Sequence, residues 1–173
     1  MFQISMAKEK GYGKLIKMKK DEFERLIIEY QSQMYRLALS ILKNTHDAED
    51  VVGDAILTAW ERLSTLKDPS KFKSWIMTII ANNAKTYLRK NKRVELTDSF
   101  DDLGEAADVY EGSETELWNA VMHLKEKHSE IIVLYYYFGF SVKEISKILH
   151  LTQGTVKSRL SRGREALRNH LEL

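Results

Sequence analysis

The sequence predicts an all-α protein made of two small helical domains, and three observations carry that expectation. Apolar residues recur at three- and four-residue steps over long stretches, the period of a helix with one buried face. No stretch alternates apolar and polar residues for long, and no glycine-punctuated hairpin appears. A segment rich in acids separates two basic ones, which divides the chain.

The first helix is predicted from Phe23, Leu26, Ile27, Tyr30, Met34, Leu37 and Ile41, which share one face. After the break at "KNTHD", Val52, Ala55, Ile56, Ala59, Trp60 and Leu63 repeat the pattern. Pro69 in "STLKDPSKFK" cannot sit inside a helix, so a third helix is expected to begin near Ser74. In that helix Ile76, Ile79, Ile80, Asn83 and Tyr87 project to one side. Trp75, Thr78, Asn82, Lys85 and Arg89 project to the other. An aromatic ring, an amide and cations in one row suit single-stranded DNA: the ring stacks on a base, the amide bonds a base edge and the cations hold phosphates. A core rim at Trp75 with solvated cations beyond it fits the same pattern.

Further along, "IIVLYYYF" has the composition of a buried strand or a buried helix. Ser129 before it and Gly139 after it, read as N-cap and C-terminal stop, favour helix. Ser141 and Glu144 form a capping box that opens another helix, whose buried residues are expected at Val142, Ile145 and Leu149. That helix ends near His150, and Thr152 can cap the last one. In the last helix Val156, Leu160, Gly163, Leu167 and Leu171 form an apolar stripe. Ser158, Ser161, Arg162 and Glu165 face away from it, Lys157 lies on a flank, and Arg159 and Arg164 border the stripe. Two helices, a tight turn and a polar, cationic second helix make a helix-turn-helix, whose second helix fits the DNA major groove. A helical hairpin with a solvated basic face fits as well.

Charge sets the boundaries. Residues 1–93 hold 18 Lys and Arg against 11 Asp and Glu, and residues 118–173 hold 9 against 5. Residues 94–117 hold nine acids and no Lys or Arg, so self-repulsion favours an extended linker, although an acidic exposed helix has the same composition. The expected organisation is a flexible tail at 1–20, a domain at 21–93, the acidic linker at 94–117 and a second domain at 118–173. The opening run also reads as sequence upstream of a start at Met18.

Composition narrows the function. The chain has 173 residues, 43% of them apolar, which is enough to bury a core. Without cysteine, a disulfide scaffold and a cysteine-rich zinc finger are excluded. The longest apolar run falls well short of the about 20 residues that a bilayer span needs. No apolar signal-peptide core opens the chain, so a cytoplasmic location is expected. The five histidines give no i, i+4 pair, so no zinc site is expected. No nucleophile–base pair or phosphate-binding glycine loop appears, so neither an enzyme nor a cofactor is expected. Asp47, Asp50 and Asp54 stand three and four residues apart opposite Val52, Ile56 and Ala59, an exposed carboxylate stripe suited to a basic partner. A solvated face or, without a second ligand cluster, a poor carboxylate metal site are the competing readings.

The combination resembles a known family. "DAEDVVGDAILTAWERL", "FKSWIMTIIANNAKTYLRK", an acidic spacer and "HSEIIVLYYYFGFSVKEISKILHLTQGTVKSRLSRGREALR" are similar, in that order, to bacterial RNA polymerase sigma factors of the extracytoplasmic-function class. The resemblance spans residues 20–171, and "GTVKSRLSRGREAL" is its most specific part. It implies region 2 and region 4 joined by a flexible linker. It also implies recognition of the minus-35 promoter element by Lys157, Ser158, Ser161 and Arg162, with Thr155, Arg159 and Arg164 near the DNA backbone. In region 2 it implies capture of an unstacked base of the minus-10 element by Asn82. Phe72 and Trp75 would be the aromatic elements of the pocket, and Lys85 and Arg89 lie on the same face. Taking a base from its stack costs a few kcal/mol, which stacking and hydrogen bonds offset.

The partners implied are core RNA polymerase, promoter DNA and an anti-sigma factor. On the polymerase, the resemblance places the Asp47, Asp50 and Asp54 helix against the clamp coiled coil of the largest catalytic subunit, and region 4 at the flap of the other large subunit. Four positions depart from the family's habit. Gly53 stands where glutamine is usual, Thr86 where Asp or Asn is frequent, Lys125 where proline is common, and His150 where a turn glycine is frequent. A rival reading is a two-domain regulator that binds duplex DNA by itself. A sensor or receiver half of that kind usually needs alternating strands and helices.

Overall fold

The computed structural model describes residues 18–95 and 113–171. Seven α-helices and no strand occur among the described residues. The first domain packs α1 (Lys20–Leu42), α2 (Thr45–Glu61) and α3 (Phe72–Glu95) against one another. Met34, Leu37, Ala55, Ile76 and Ile80 are wholly inaccessible at the centre. The α1–α2 break is built from two short-range devices. Lys43 turns the chain with φ 61°, and Asn44 caps α2 by accepting a hydrogen bond from the Asp47 amide at 3.0 Å. Asp68 does the same for the 3-10 turn Pro69–Lys71, accepting from the Ser70 amide at 3.0 Å, so α3 starts at Phe72 and not near Ser74.

The second domain contains α4 (Ser113–His123), α5 (Glu126–Ile132), α6 (Val142–Ile148) and α7 (Gln153–His170). Beyond Ile132 the chain continues as a π-helical segment, Val133–Tyr137, and Gly139 stops it with φ 73°. The "IIVLYYYF" run is thus helical, as expected. Its start differs from expectation: Ser129 lies inside α5, and Lys125 is the N-cap residue. Every residue from Ser129 to Leu134 is buried, so this middle stretch has no solvent stripe, while Glu126 and Lys127 before it and Tyr136 after it are exposed. It contacts α7 on one side and α1 of the first domain on another. A helical stretch buried all round belongs between two bodies.

Two boundaries move. Residues 94–95 continue α3 and Ser113–Leu117 belong to α4, because helix extends into both ends of the stretch read as linker. The rest of that stretch, 96–112, lies outside the described residues, as do 1–17 of the segment read as a tail. Met18 is buried against the first domain, and Lys20 already opens α1.

Candidate nucleic-acid and polymerase interface

The helix-turn-helix is assembled from local chemistry. Ser141 Oγ accepts from the Glu144 amide at 3.3 Å, while Glu144 Oε2 accepts from the Ser141 amide at 2.8 Å, completing the capping box. The Ser141 hydroxyl also donates to Glu144 Oε2 at 2.7 Å, and with the Ser141 amide it holds the Glu144 carboxyl below its usual range. His150 makes the turn with φ 53°, the left-handed conformation that glycine adopts at no steric cost. Thr152 then caps α7, accepting from the Thr155 amide at 3.1 Å. Val156, Leu160 and Gly163 bury the inner side of α7. Gly163 lets α7 approach α5 closely, since a Cβ at that position would lie 3.0 Å from Ile132 Cγ1 and the isoleucine side chain would have to shift.

The outer side of α7 exposes Lys157, Ser158, Ser161, Arg162 and Arg164. Among the described residues, Lys157 and Arg162 form no ion pair or hydrogen bond, so both are free for an anionic partner. Arg164 reaches only the Tyr136 hydroxyl, at 3.5 Å. Thr155 and Arg159 are half-buried. The Thr155 hydroxyl sits 2.8 Å from that of Thr152, and Arg159 Nη1 lies 3.6 Å from Glu130 Oε1.

The α3 face divides differently. Asn82 and Arg89 are exposed. Trp75 is half-buried and lines a cleft of about 550 Å³ between α3 and α6, together with Thr78, Lys143 and Lys147. Phe72 is only 1% exposed, so it cannot offer a stacking surface as the sequence reading had it. It is a core ring, in contact with Phe23, Tyr30 and Trp75, and it props Trp75 from below at 5.7 Å between ring centres. Lys85 points to the second domain, its Nζ 3.0 Å from Glu130 Oε2, close as an ion pair but off the line of a good hydrogen bond.

The acidic stripe is two residues, not three. Asp50 and Asp54 are exposed, whereas Asp47 is half-buried and accepts a 2.6 Å hydrogen bond from the Tyr87 hydroxyl of α3. That bond to a carboxylate raises the Tyr87 pKa. Leu57 and Trp60, both on α2, are also exposed. Gly53 has open space where a side chain would be. Among the described residues no group of acids and histidines could hold a metal ion, and no helix is long and apolar enough to cross a membrane.

Sequence reasoning missed the groups that join the domains. Lys43, the C-cap residue of α1, extends to Ser129 Oγ at 2.9 Å and to the Val121 carbonyl at 3.4 Å. Burial pulls its pKa down to about 8. Ser129 donates to the Ser40 carbonyl at 2.6 Å. Lys73 donates to the Phe138 carbonyl at 2.7 Å and sits 4.9 Å from the centre of the Phe140 ring, and Arg36 sits 5.7 Å from that of Trp118. Glu130, 2% exposed, has its pKa raised by burial against the opposing pull of Lys85 and Arg159. The available signal was two polar residues, Ser129 and Glu130, directly before an unbroken apolar run.

A helical two-domain chain, ending in a helix-turn-helix with a free cationic face, defines a DNA-binding protein of transcription. The Sigma-70 region 2 family matches residues 26–94, and the Sigma-70 region 4 family matches residues 114–167. The chain is 31% identical over 147 residues to the RNA polymerase sigma factor SigV of Bacillus subtilis, covering 84% of this chain and 88% of that one. It is 29% identical to the extracytoplasmic-function (ECF) sigma factor SigW of the same organism, covering 97% and 98% of the two chains. Among solved structures, it is similar to a chain in the co-crystal structure of the sigma factor RpoE with the anti-sigma factor NepR from Bartonella quintana. That match has a TM-score of 0.77 and 25% identity, and covers 88% of this chain and 98% of that one. The chain therefore belongs to the sigma-70 family of RNA polymerase sigma factors, in the ECF class, and functions in transcription initiation.

Proposed function

We propose that this sigma factor directs core polymerase to promoters with two separate DNA-reading faces. Region 4 reads the minus-35 element in the major groove through Lys157, Ser158, Ser161 and Arg162, with Thr155, Arg159 and Arg164 toward the backbone. Region 2 takes up an unstacked non-template base of the minus-10 element beside Trp75 and Asn82, with Lys85 and Arg89 on phosphates. The observation that carries the reading is the outer side of α7, where Lys157 and Arg162 are exposed and unpaired on the second helix of a helix-turn-helix. Asn82, exposed about two turns along α3 from Trp75 and on the same side by helical period, supports the second face. Neither face needs a catalytic residue, because opening follows from binding the unpaired base.

Asp50 and Asp54 dock on a basic surface of the polymerase, the clamp coiled coil in the family's arrangement, and region 4 meets the flap. An anti-sigma factor is a further partner, by likeness to the NepR-bound sigma factor. Multi-round transcription by purified core polymerase, with and without the protein, tests the whole reading and separates it from a regulator that acts on duplex DNA alone. Core polymerase that gains no promoter-specific product would refute it. Asp50→Arg combined with Asp54→Arg should weaken co-elution with core enzyme and leave helicity intact, since reversing both exposed charges sets like against like.

A further inference from the structure

The fold gives the three consecutive tyrosines, Tyr135 to Tyr137, three different environments. Tyr137 is half-buried and meets Trp118 edge to face, at 5.4 Å between ring centres. Tyr135 is half-buried and braces its neighbour Tyr136, also edge to face, at 4.9 Å. Tyr136 itself is 53% exposed, a large ring open to solvent. All three belong to the π-helical segment, in which the Phe138 amide donates to the Val133 carbonyl at 3.1 Å, a widened turn of a kind frequent at functional sites. The hydroxyl of Tyr136 lies 3.5 Å from Arg164 Nη1. Arg164 is exposed on α7, about two turns beyond Lys157 and on the same side by helical period. Among the described residues no acid pairs with it.

We propose that Tyr136 and Arg164 together clamp one DNA phosphate beside the minus-35 element, with Tyr136 a DNA contact contributed from outside the recognition helix. This rests on the reading of α7 as that helix. A guanidinium only donates, so the Tyr136 oxygen is the acceptor between the two and its own O–H is left as a donor. Accepting from a cation polarises the phenol and makes that O–H a stronger donor. Two adjacent donors, one of them charged, fit the free oxygens of a phosphate. The tyrosine also positions its partner. An exposed arginine loses rotamer freedom when it reaches an anion, and a ring already braced by Tyr135 removes part of that loss by fixing where the guanidinium sits. A phosphate carries no sequence information, so the clamp serves affinity and register and leaves the choice of bases to the outer face of α7.

The test is holoenzyme binding to a duplex that spans the minus-35 element of a promoter it transcribes, and to the same duplex with that element scrambled. Both are measured over a range of salt for the parent, Tyr136→Phe, Arg164→Ala and the double variant. Tyr136→Phe keeps the ring and removes only the hydroxyl, and circular dichroism of the free variants reports whether each keeps its helices. That variant should weaken binding to both duplexes alike, by about three- to tenfold, at an unchanged salt slope because no charge is lost. Arg164→Ala should weaken both as well and make the slope of log K against log salt shallower by about one, the share of one phosphate. Without Arg164 the tyrosine change should add less than about a twofold loss, since the two residues act on one anion. Parental affinity of Tyr136→Phe, a loss confined to the cognate duplex, an unchanged slope for Arg164→Ala, or a tyrosine effect of full size without Arg164 would each overturn the clamp. Parental binding by both Lys157→Ala and Arg162→Ala would instead overturn the reading of α7 as the recognition helix.

Discussion

Helices α3 and α7, the two proposed to read DNA, carry comparable charge, yet the structure treats them in opposite ways. On α7, Lys157 and Arg162 are exposed and unpaired, while the flanking Arg159 and Arg164 are engaged, with Glu130 and the Tyr136 hydroxyl. On α3, Lys73 and Lys85 both contact region 4, Trp75 is half-buried, and Asn82 and Arg89 remain open. The difference comes from position. Helix α7 packs on α4, α5 and α6 of its own domain, whereas α3 packs on α1 and α2 of its own domain and also on α6 of the other. A cation on a helix packed within its own domain stays available to a partner. One on a helix between two domains is first claimed by the rest of the protein.

The largest effect that sharpens this contrast concerns the interface. Lys43 has its pKa lowered to about 8 from an ordinary 10.5, so the folded, docked state binds fewer protons than the unfolded chain between those values. Stability must therefore rise as pH increases from about 8 to 10.5, and the penalty is full below 8. That penalty is at most about 3 kcal/mol. Lys43→Met removes it and also loses the 2.9 Å contact to Ser129. Denaturant midpoints of parent and variant, measured across that pH window, should therefore change relative to one another in the parent's favour as pH rises. Parallel curves would mean that Lys43 is not desolvated by docking.

Next in size is the free face. Lys157→Ala or Arg162→Ala should weaken binding to a cognate minus-35 duplex by about 1 to 3 kcal/mol where the contact reads a base edge. A phosphate contact would instead lower affinity for cognate and scrambled duplexes alike and flatten the salt dependence. Binding to both duplexes at two salt concentrations distinguishes these, and no loss in either would remove α7 from the DNA. The counterpart on α3 is Asn82→Ala, expected to cost about 1 kcal/mol of base capture. Closed complexes should persist while permanganate reactivity of unpaired thymines falls and a pre-melted bubble restores transcription. Parental opening of linear DNA would make Asn82 an ordinary surface amide.

The smallest effects are local, one in each domain. His150→Gly relieves a left-handed backbone and should stabilise region 4 by up to about 1 kcal/mol, net of the extra freedom glycine gives the unfolded chain. Gly53→Ala fills open space in the middle of α2 and should stabilise region 2 by about 1 kcal/mol. Thermal unfolding of both variants checks the pair.

Elements governed by their own neighbours were legible in the sequence. The Ser141–Glu144 capping box, the Gly139 stop, the break at Lys43–Asn44 and the buried stripe of α7 all depend on side chains within a few residues of each other. The free row at Lys157, Ser158, Ser161 and Arg162 followed from the same periodicity, because an outer helix has one buried side. Where several elements meet, the reading failed in detail. Phe72 looked like a pocket ring beside Trp75, but Phe23 and Tyr30 also pack on it and take it into the core. Asp47 kept the spacing of Asp50 and Asp54, but Tyr87, forty residues away, drew it inward.

The sequence by itself therefore determined most of the helices, the caps at Ser141 and Thr152, the helix-turn-helix and the family, since each is a matter of short-range pattern. Only the tertiary structure decided that region 4 lies on region 2 and that Lys43, Ser129 and Glu130 form the join. Burying a lysine and a glutamate has no period that a sequence can display. It costs desolvation, and the cost is offset only by partners that the fold brings from 86 residues away for Lys43 and Ser129, and from α3 and α7 for Glu130.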